Sequence, residues 1–186
     1  LLHIESSSPA LRISNTTDGG WSTGDVIGEF NFWSTDGGGR SAGYIKSIQE
    51  IGGGSITDGA LTFGTTVYGT NSPIERMRIS STGNVGIGVT SPNYLLHINR
   101  STSAGCWAQF TNSTTGTGTG AGALVGIDSN EDFRILQYEA KALKLYTSAT
   151  ERMRIDSSGN VGIGTTSPSS YGYFAVDRGA PVSADR

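Results

Sequence analysis

Apolar positions in this chain recur mainly at every second place, in short runs. Val26, Gly28, Phe30 and Phe32 form one such run; Ile45, Ser47, Gln49 and Ile51 form another, and Leu61, Phe63, Thr65 and Val67 a third. Shorter echoes stand at Leu136/Tyr138 and Leu143/Leu145. A period of two is the mark of a strand with two unlike faces. Gly-rich breaks separate the runs at short intervals. No window carries a capped 3.6-residue stripe, apart from a short turn around Glu139–Ala142. The pattern predicts an all-β chain with six or seven short strands per unit.

The runs sit inside a repeat. LLHI stands at 1–4 and again at 95–98, and ERMRISSTGNVGIGVTSP (75–92) returns as ERMRIDSSGNVGIGTTSP (151–168). The two cassettes differ only at Ser80/Asp156, Thr82/Ser158 and Val89/Thr165. This phase gives a first module over 1–94, a second over 95–172, and the start of a third over 173–186, where Tyr173-Phe174-Ala175-Val176 takes the LLHI place. Between the cassettes the bodies agree less, although GALTFGTT (59–66) is answered by KALKLYTS (141–148). The first body carries extra Gly-rich stretches, TDGGGRSAG and EIGGGSITDG. Such insertions are expected to be surface loops, where recognition would vary.

Within the first cassette, strict alternation puts Glu75, Met77 and Ile79 on one face and Arg76 and Arg78 on the other. Ser80 to Asn84 is turn chemistry around Gly83. Beyond it, Val85, Ile87 and Val89 point one way and Gly86 and Gly88 the other, until Pro92 stops the strand. A glycine-faced strand lets another backbone approach, so Gly86 and Gly88, with Gly162 and Gly164 in the second cassette, are expected to be close-packing positions. The spacing G-x-x-G-x-G is not that of a dinucleotide loop, and no helix pattern follows to offer its N-terminus.

Composition limits what these strands can do alone. Gly, Ser and Thr make up about two residues in five, and apolar residues only 35%. A chain so thin in core-builders is expected to share its apolar faces with neighbouring units or with identical chains around a common axis. The net charge of -3 has both signs scattered, without the basic cluster that a nucleic acid needs. One cysteine, Cys106, excludes an intrachain disulfide and reads as a small buried filler. No apolar run approaches the roughly 20 residues of a membrane-spanning helix. Beginning at Leu1 and stopping soon after a third opening, the chain reads as an internal piece of a longer polypeptide.

The two cassettes, and the LLHI that follows SPNY, resemble the repeats of bacteriophage tail fibre proteins. In that family they stand upstream of a C-terminal self-cleaving chaperone domain. The likeness is specific over about a quarter of the chain and looser over the bodies. It implies tandem β-rich modules, sandwich- or prism-like, in an elongated homotrimeric fibre on the virion. Such a fibre joins other tail proteins and meets a host-surface glycan or protein. The chaperone domain is not among these residues, so self-cleavage is not implied here.

Aromatic faces beside Asp or Asn can stack on sugars while the polar groups bind hydroxyls. Trp21 with Asp18, and Trp33 with Asp36, are the leading glycan contacts on this ground; Trp107, Tyr44, Tyr68 and Tyr171 follow. The competing expectation places Trp33 and Trp107 in the unit cores. His3 and His97 share one repeat position, which reads as a solvent-facing or packed repeat residue rather than as a ring that binds a metal or anion. Asp128, Asn130, Asp132 and Glu139 match four positions of a calcium loop, but Phe133 stands where the loop needs glycine. Asn15, Asn99 and Asn112 lie in glycosylation sequons that a Ser/Thr-rich chain produces by chance. Neither cofactor nor metal is called for. No Ser-His-Asp or Cys-His set can be nominated, and the adjacent Glu131 and Asp132 would face opposite ways on a strand unless a loop bends them, so no catalytic residue is nominated. The expectation is therefore a structural and adhesive fibre segment; the alternatives are a tail-borne glycan depolymerase and a non-viral adhesive filament.

Overall fold

A computed structural model of the chain describes residues 20–35, 39–51, 58–70, 72–170 and 174–176. Its strands are β1 (Val26–Ser34), β2 (Arg40–Gln49), β3 (Gly59–Thr66), β4 (Pro73–Ile79), β5 (Val85–Ile87), β6 (Leu96–Ile98), β7 (Cys106–Phe110), β8 (Ala123–Ile127), β9 (Phe133–Gln137), β10 (Leu143–Thr147), β11 (Thr150–Ile155), β12 (Val161–Ile163) and β13 (Phe174–Val176). One turn of 3-10 helix covers Pro168–Ser170. The protein is thus all-β, as the alternation predicts. The stretch around Glu139–Ala142 is a bend closed by the Lys141 N–H on the Glu139 carbonyl (2.6 Å), not a helix.

Two compact units divide at Ser103/Ala104. The first holds a six-stranded sheet in simple order, β1 to β6, and the second holds a β7-β8-β9 sheet and a β10-β11-β12-β13 sheet. Neighbours are antiparallel except for β5/β6 and β12/β13. Sequence phase and folding unit differ at both module openings: Leu96–Ile98 of the LLHI at 95–98 opens the second sequence module yet, as β6, completes the first sheet, and Phe174–Val176 opens the third yet, as β13, completes a sheet of the second unit. Phe174-Ala175-Val176 pairs with β12 in the register that Leu96-His97-Ile98 uses with β5.

The two cassettes fold alike because the same few residues force the same path. The Ser80 N–H donates to the Asn84 carbonyl and the Gly83 N–H to the Ser80 carbonyl (both 2.9 Å). Asp156, Gly159 and Asn160 repeat both bonds at 2.9 and 3.0 Å. The differing residue keeps its job, since Ser80 Oγ accepts the Asn84 N–H as Asp156 Oδ1 accepts that of Asn160. Gly83 (φ 85°) and Gly159 (φ 84°) hold the left-handed conformation that such turns require.

Two departures from strict alternation matter for the site. First, the strand after the turn ends at Ile87, two residues before Val89, because Gly88 (φ 71°) leaves the extended region; Gly164 (φ 73°) does the same. Second, β3/β4 and β10/β11 carry a register shift at the same place, between Phe63/Gly64 and between Leu145/Tyr146. Each is a bulge with Arg76 or Arg152 as the extra residue. Glu75 therefore pairs opposite Gly64 and joins the face of Arg78, not that of Met77 and Ile79 as simple counting predicts.

Candidate functional site

Register fixes which side chains share a face, and the faces are unequal. In the first sheet Phe30, Ile45, Phe63, Met77, Ile87 and Ile98 form one unbroken row across all six strands. Leu61, Ile79, Val85 and Leu96 form the next row on the same side. In the second unit Leu145, Met153, Ile163 and Val176 make one row and Leu143, Ile155, Val161 and Phe174 the other. On β7-β8-β9 the corresponding side carries Ala108/Val125/Ile135 and Cys106/Ile127/Phe133. These are the sides that stay open: Phe30 is 52% exposed, Leu96 58%, Phe133 68% and Phe174 63%. Cys106 is half-buried on that open side, not a core filler.

On the six-stranded sheet and on β10-β11-β12-β13 the opposite side is covered by the chain's own turns. Behind β5, Gly86 faces the returning segment: a Cβ there would lie 2.6 Å from the Val89 carbonyl oxygen and 3.4 Å from Pro92 Cβ. Gly162 is matched by Thr165 O at 2.8 Å and Pro168 Cβ at 3.3 Å. At Gly88 a Cβ would run into the Asn99 carbonyl oxygen. The backbone that these glycines admit belongs to the same chain. Gly64 leaves room in the same way for the ring of Tyr44, which is buried across it.

A charged pair sits on each covered side. Arg78, 8% exposed, donates to both oxygens of Glu75 (2.7 and 2.9 Å) and to Glu50 (2.9 Å). Arg154 grips Glu151 in the same way and also donates to the Thr166 carbonyl (2.7 Å). The Arg154 hydrogen bond, and then its charge and that of Lys144, hold the Glu151 carboxyl at about 2. Burial pushes Glu50 upward, but donors from Ser81 and the Arg78 charge outweigh it, leaving its pKa lowered. Asp156 is lowered chiefly by the Asn160 side-chain and backbone donors. All three are depressed carboxylates, so their stabilisation is complete above the unfolded value and is lost as pH falls through the folded one. For Glu151 that window runs from 4.5 to about 2. The thermal midpoint is expected to drop across this window, and Glu151→Gln to flatten the drop. An unchanged profile in that variant would contradict the assignment.

The aromatic candidates divide between buried and exposed places. Trp21 is buried at 7%, so its face is not offered to a ligand. Trp33 is 63% exposed at the end of edge strand β1, with Gly39 against its ring (3.1 Å to an added Cβ), so it does not belong to a core. Trp107 is half-buried over Gly105 and Gly126. Tyr68 is fully exposed on a turn. Asp18, Asp36, His3, Asn15 and Tyr171 lie outside the described residues. The Asp128 carboxylate is engaged by the N–H groups of Asn130 (2.8 Å) and Asp132 (3.0 Å) and by Arg134, which makes the calcium-like spacing a hairpin turn. Among the described residues no three His, Cys, Asp or Glu side chains converge as a metal site, and no helix is long and apolar enough to cross a membrane.

The bulged arginines are the feature that counting by twos misses. Arg76 Nε donates to Thr65 Oγ1 (3.1 Å) and Arg152 Nε to Thr147 Oγ1 (2.8 Å). The clue was the Glu-x-x-Arg spacing, since residues three apart share a strand face only if an extra residue intervenes. No protein-family model matches the chain, and no curated protein matches it.

Proposed function

We propose that this chain is a structural and adhesive segment of a bacteriophage tail fibre, assembled from identical copies and presenting or contributing to host-surface recognition. The observation that carries the reading is the inequality of the sheet faces. The sheets β1 to β6 and β10 to β13 cover their polar sides with their own turns and leave their apolar sides open. In solution such faces associate, because apolar area contributes about 25 cal/mol per Å² when it leaves water.

The exposure of the row residues supports this: Phe30 is 52% exposed, Ile87 42%, Ile98 38%, Leu145 53% and Ile163 37%. An uncharged row repeated in both units suits self-association better than binding of a charged partner. Three copies is the number that the family resemblance implies; the open faces themselves ask only for more than one.

On this reading the protein is a non-enzymatic virion component outside the host cell. It acts by multivalence, where several weak contacts held together gain from high local concentration. Fluorescently labelled protein is expected to bind saturably to the surface of some strains in a bacterial panel and to leave their polysaccharide intact. Release of reducing ends would favour the depolymerase instead. Absence of binding to every strain would remove the adhesive half of the proposal.

A further inference from the structure

The covered side of the first sheet holds a cleft of about 430 Å³, within the range of small-ligand sites. Its walls are the Thr23–Gly24 turn, the end of β2, the turn after β4, and the cassette tail Thr90–Asn93. The hydroxyls of Thr90 and Ser91 and the amide of Asn93 make no hydrogen bond among the described residues. The charges in the cleft are already matched: Glu50 accepts from Arg78 (2.9 Å), from the Ser81 N–H (2.8 Å) and from Ser81 Oγ (2.7 Å). Arg78 also donates through Nε and Nη2 to both oxygens of Glu75. An ionic ligand finds no counter-charge there.

Beside these unused donors, the wall also holds acceptors without a partner. Gln49, wholly buried at its wall, donates through Nε2 to the Ile51 carbonyl and to Asp58 (both 2.6 Å). Its Oε1 has no donor, and neither has Asp58 Oδ2 beside it. Ile48, Ile51 and Pro92 supply apolar surface between these polar groups. Apolar patches interleaved with unused hydroxyl and amide groups match a ring with polar edges and a C–H face.

We propose that this cleft binds a neutral, hydroxyl-rich ligand, one sugar residue of a glycan. The ligand class rests on the adhesive reading above; the site does not depend on assembly. The second cassette supplies an internal control. Its Ser167 corresponds to Ser91, but among the described residues β10 is a sheet edge and no strand stands where β2 stands in the first unit.

The test is amide-resolved NMR of the full assembled chain titrated with glucose, galactose, mannose, N-acetylglucosamine and, as an acyclic polyol, sorbitol. Saturable shifts centred on Glu50, Thr90, Ser91 and Asn93 with at least one ring sugar are expected. They should vanish in Ser91→Tyr and persist in Ser167→Tyr. Binding of sorbitol as strong as that of every sugar would overturn the glycan assignment. No saturable shift at tens of millimolar ligand, or shifts that survive Ser91→Tyr, would overturn the site. Sedimentation of the same samples separates the two claims: assembled protein without shifts refutes the cleft alone, and a monomer that binds refutes the assembly alone.

Discussion

Ile87→Asp combined with Ile163→Asp is expected to abolish assembly. Ile87 lies inside the row Phe63, Met77, Ile87, Ile98, and Ile163 holds the matching place between Met153 and Val176. In a lone chain these side chains are 42% and 37% exposed. A carboxylate at such a position reaches water, so the substitutions should cost an isolated chain about 1 kcal/mol or less each. In the proposed assembly the same carboxylates would be enclosed without a cation, at several kcal/mol apiece, and about 2 kcal/mol of apolar burial would be lost at each site. Multiplied over the copies, that exceeds what an interface tolerates. Sedimentation should change from an assembled species to monomer, while Tyr68→Asp, on a fully exposed turn residue, leaves assembly intact. Persistence of the assembly in the double variant would mean that the open rows are not the contact.

The second large effect concerns the glycines, and three substitutions with different physics make it readable. Gly88→Ala suffers twice, from a left-handed backbone (φ 71°) and from collision with the Asn99 carbonyl, for an expected loss of about 2–5 kcal/mol. Gly86→Ala keeps an extended backbone but places its methyl 2.6 Å from Val89 O, an overpacking of about 1–3 kcal/mol. Gly83→Ala has φ 85° and nothing within 4 Å, so only conformational strain of about 1 kcal/mol remains. Denaturation at one fixed protein concentration should rank them in that order. If Gly88→Ala were as mild as Gly83→Ala, the returning segment would not pack as described.

These glycines also mark how far the sequence could be read. Alternation at Phe30/Phe32, Leu61/Phe63 and Val85/Ile87 was enough to find strands, and Gly83-Asn84 enough to find the turn, because both depend on neighbours in the chain. That something packs behind Gly86 was legible too. Its identity was not, since it depends on Gly88 reversing the chain so that Val89 and Pro92 return over their own strand. The bulge was hidden for a similar reason. An extra residue at Arg76 shifts the face of Glu75 without any change in composition, and its one trace is the spacing to Arg78.

The aromatic residues were harder still. Which tryptophan is buried depends on where a glycine leaves room and on where a sheet ends. Tyr44 gained cover from Gly64, and Trp33 lost it at the edge of β1. The open apolar faces were foreshadowed by a chain with 35% apolar residues, but their rows required the register of thirteen strands.

Sedimentation equilibrium of the intact chain over a wide concentration range tests the central claim most directly. The account predicts one species at three times the 19.4 kDa chain mass, persisting on dilution. A stable, soluble monomer at every concentration would contradict it.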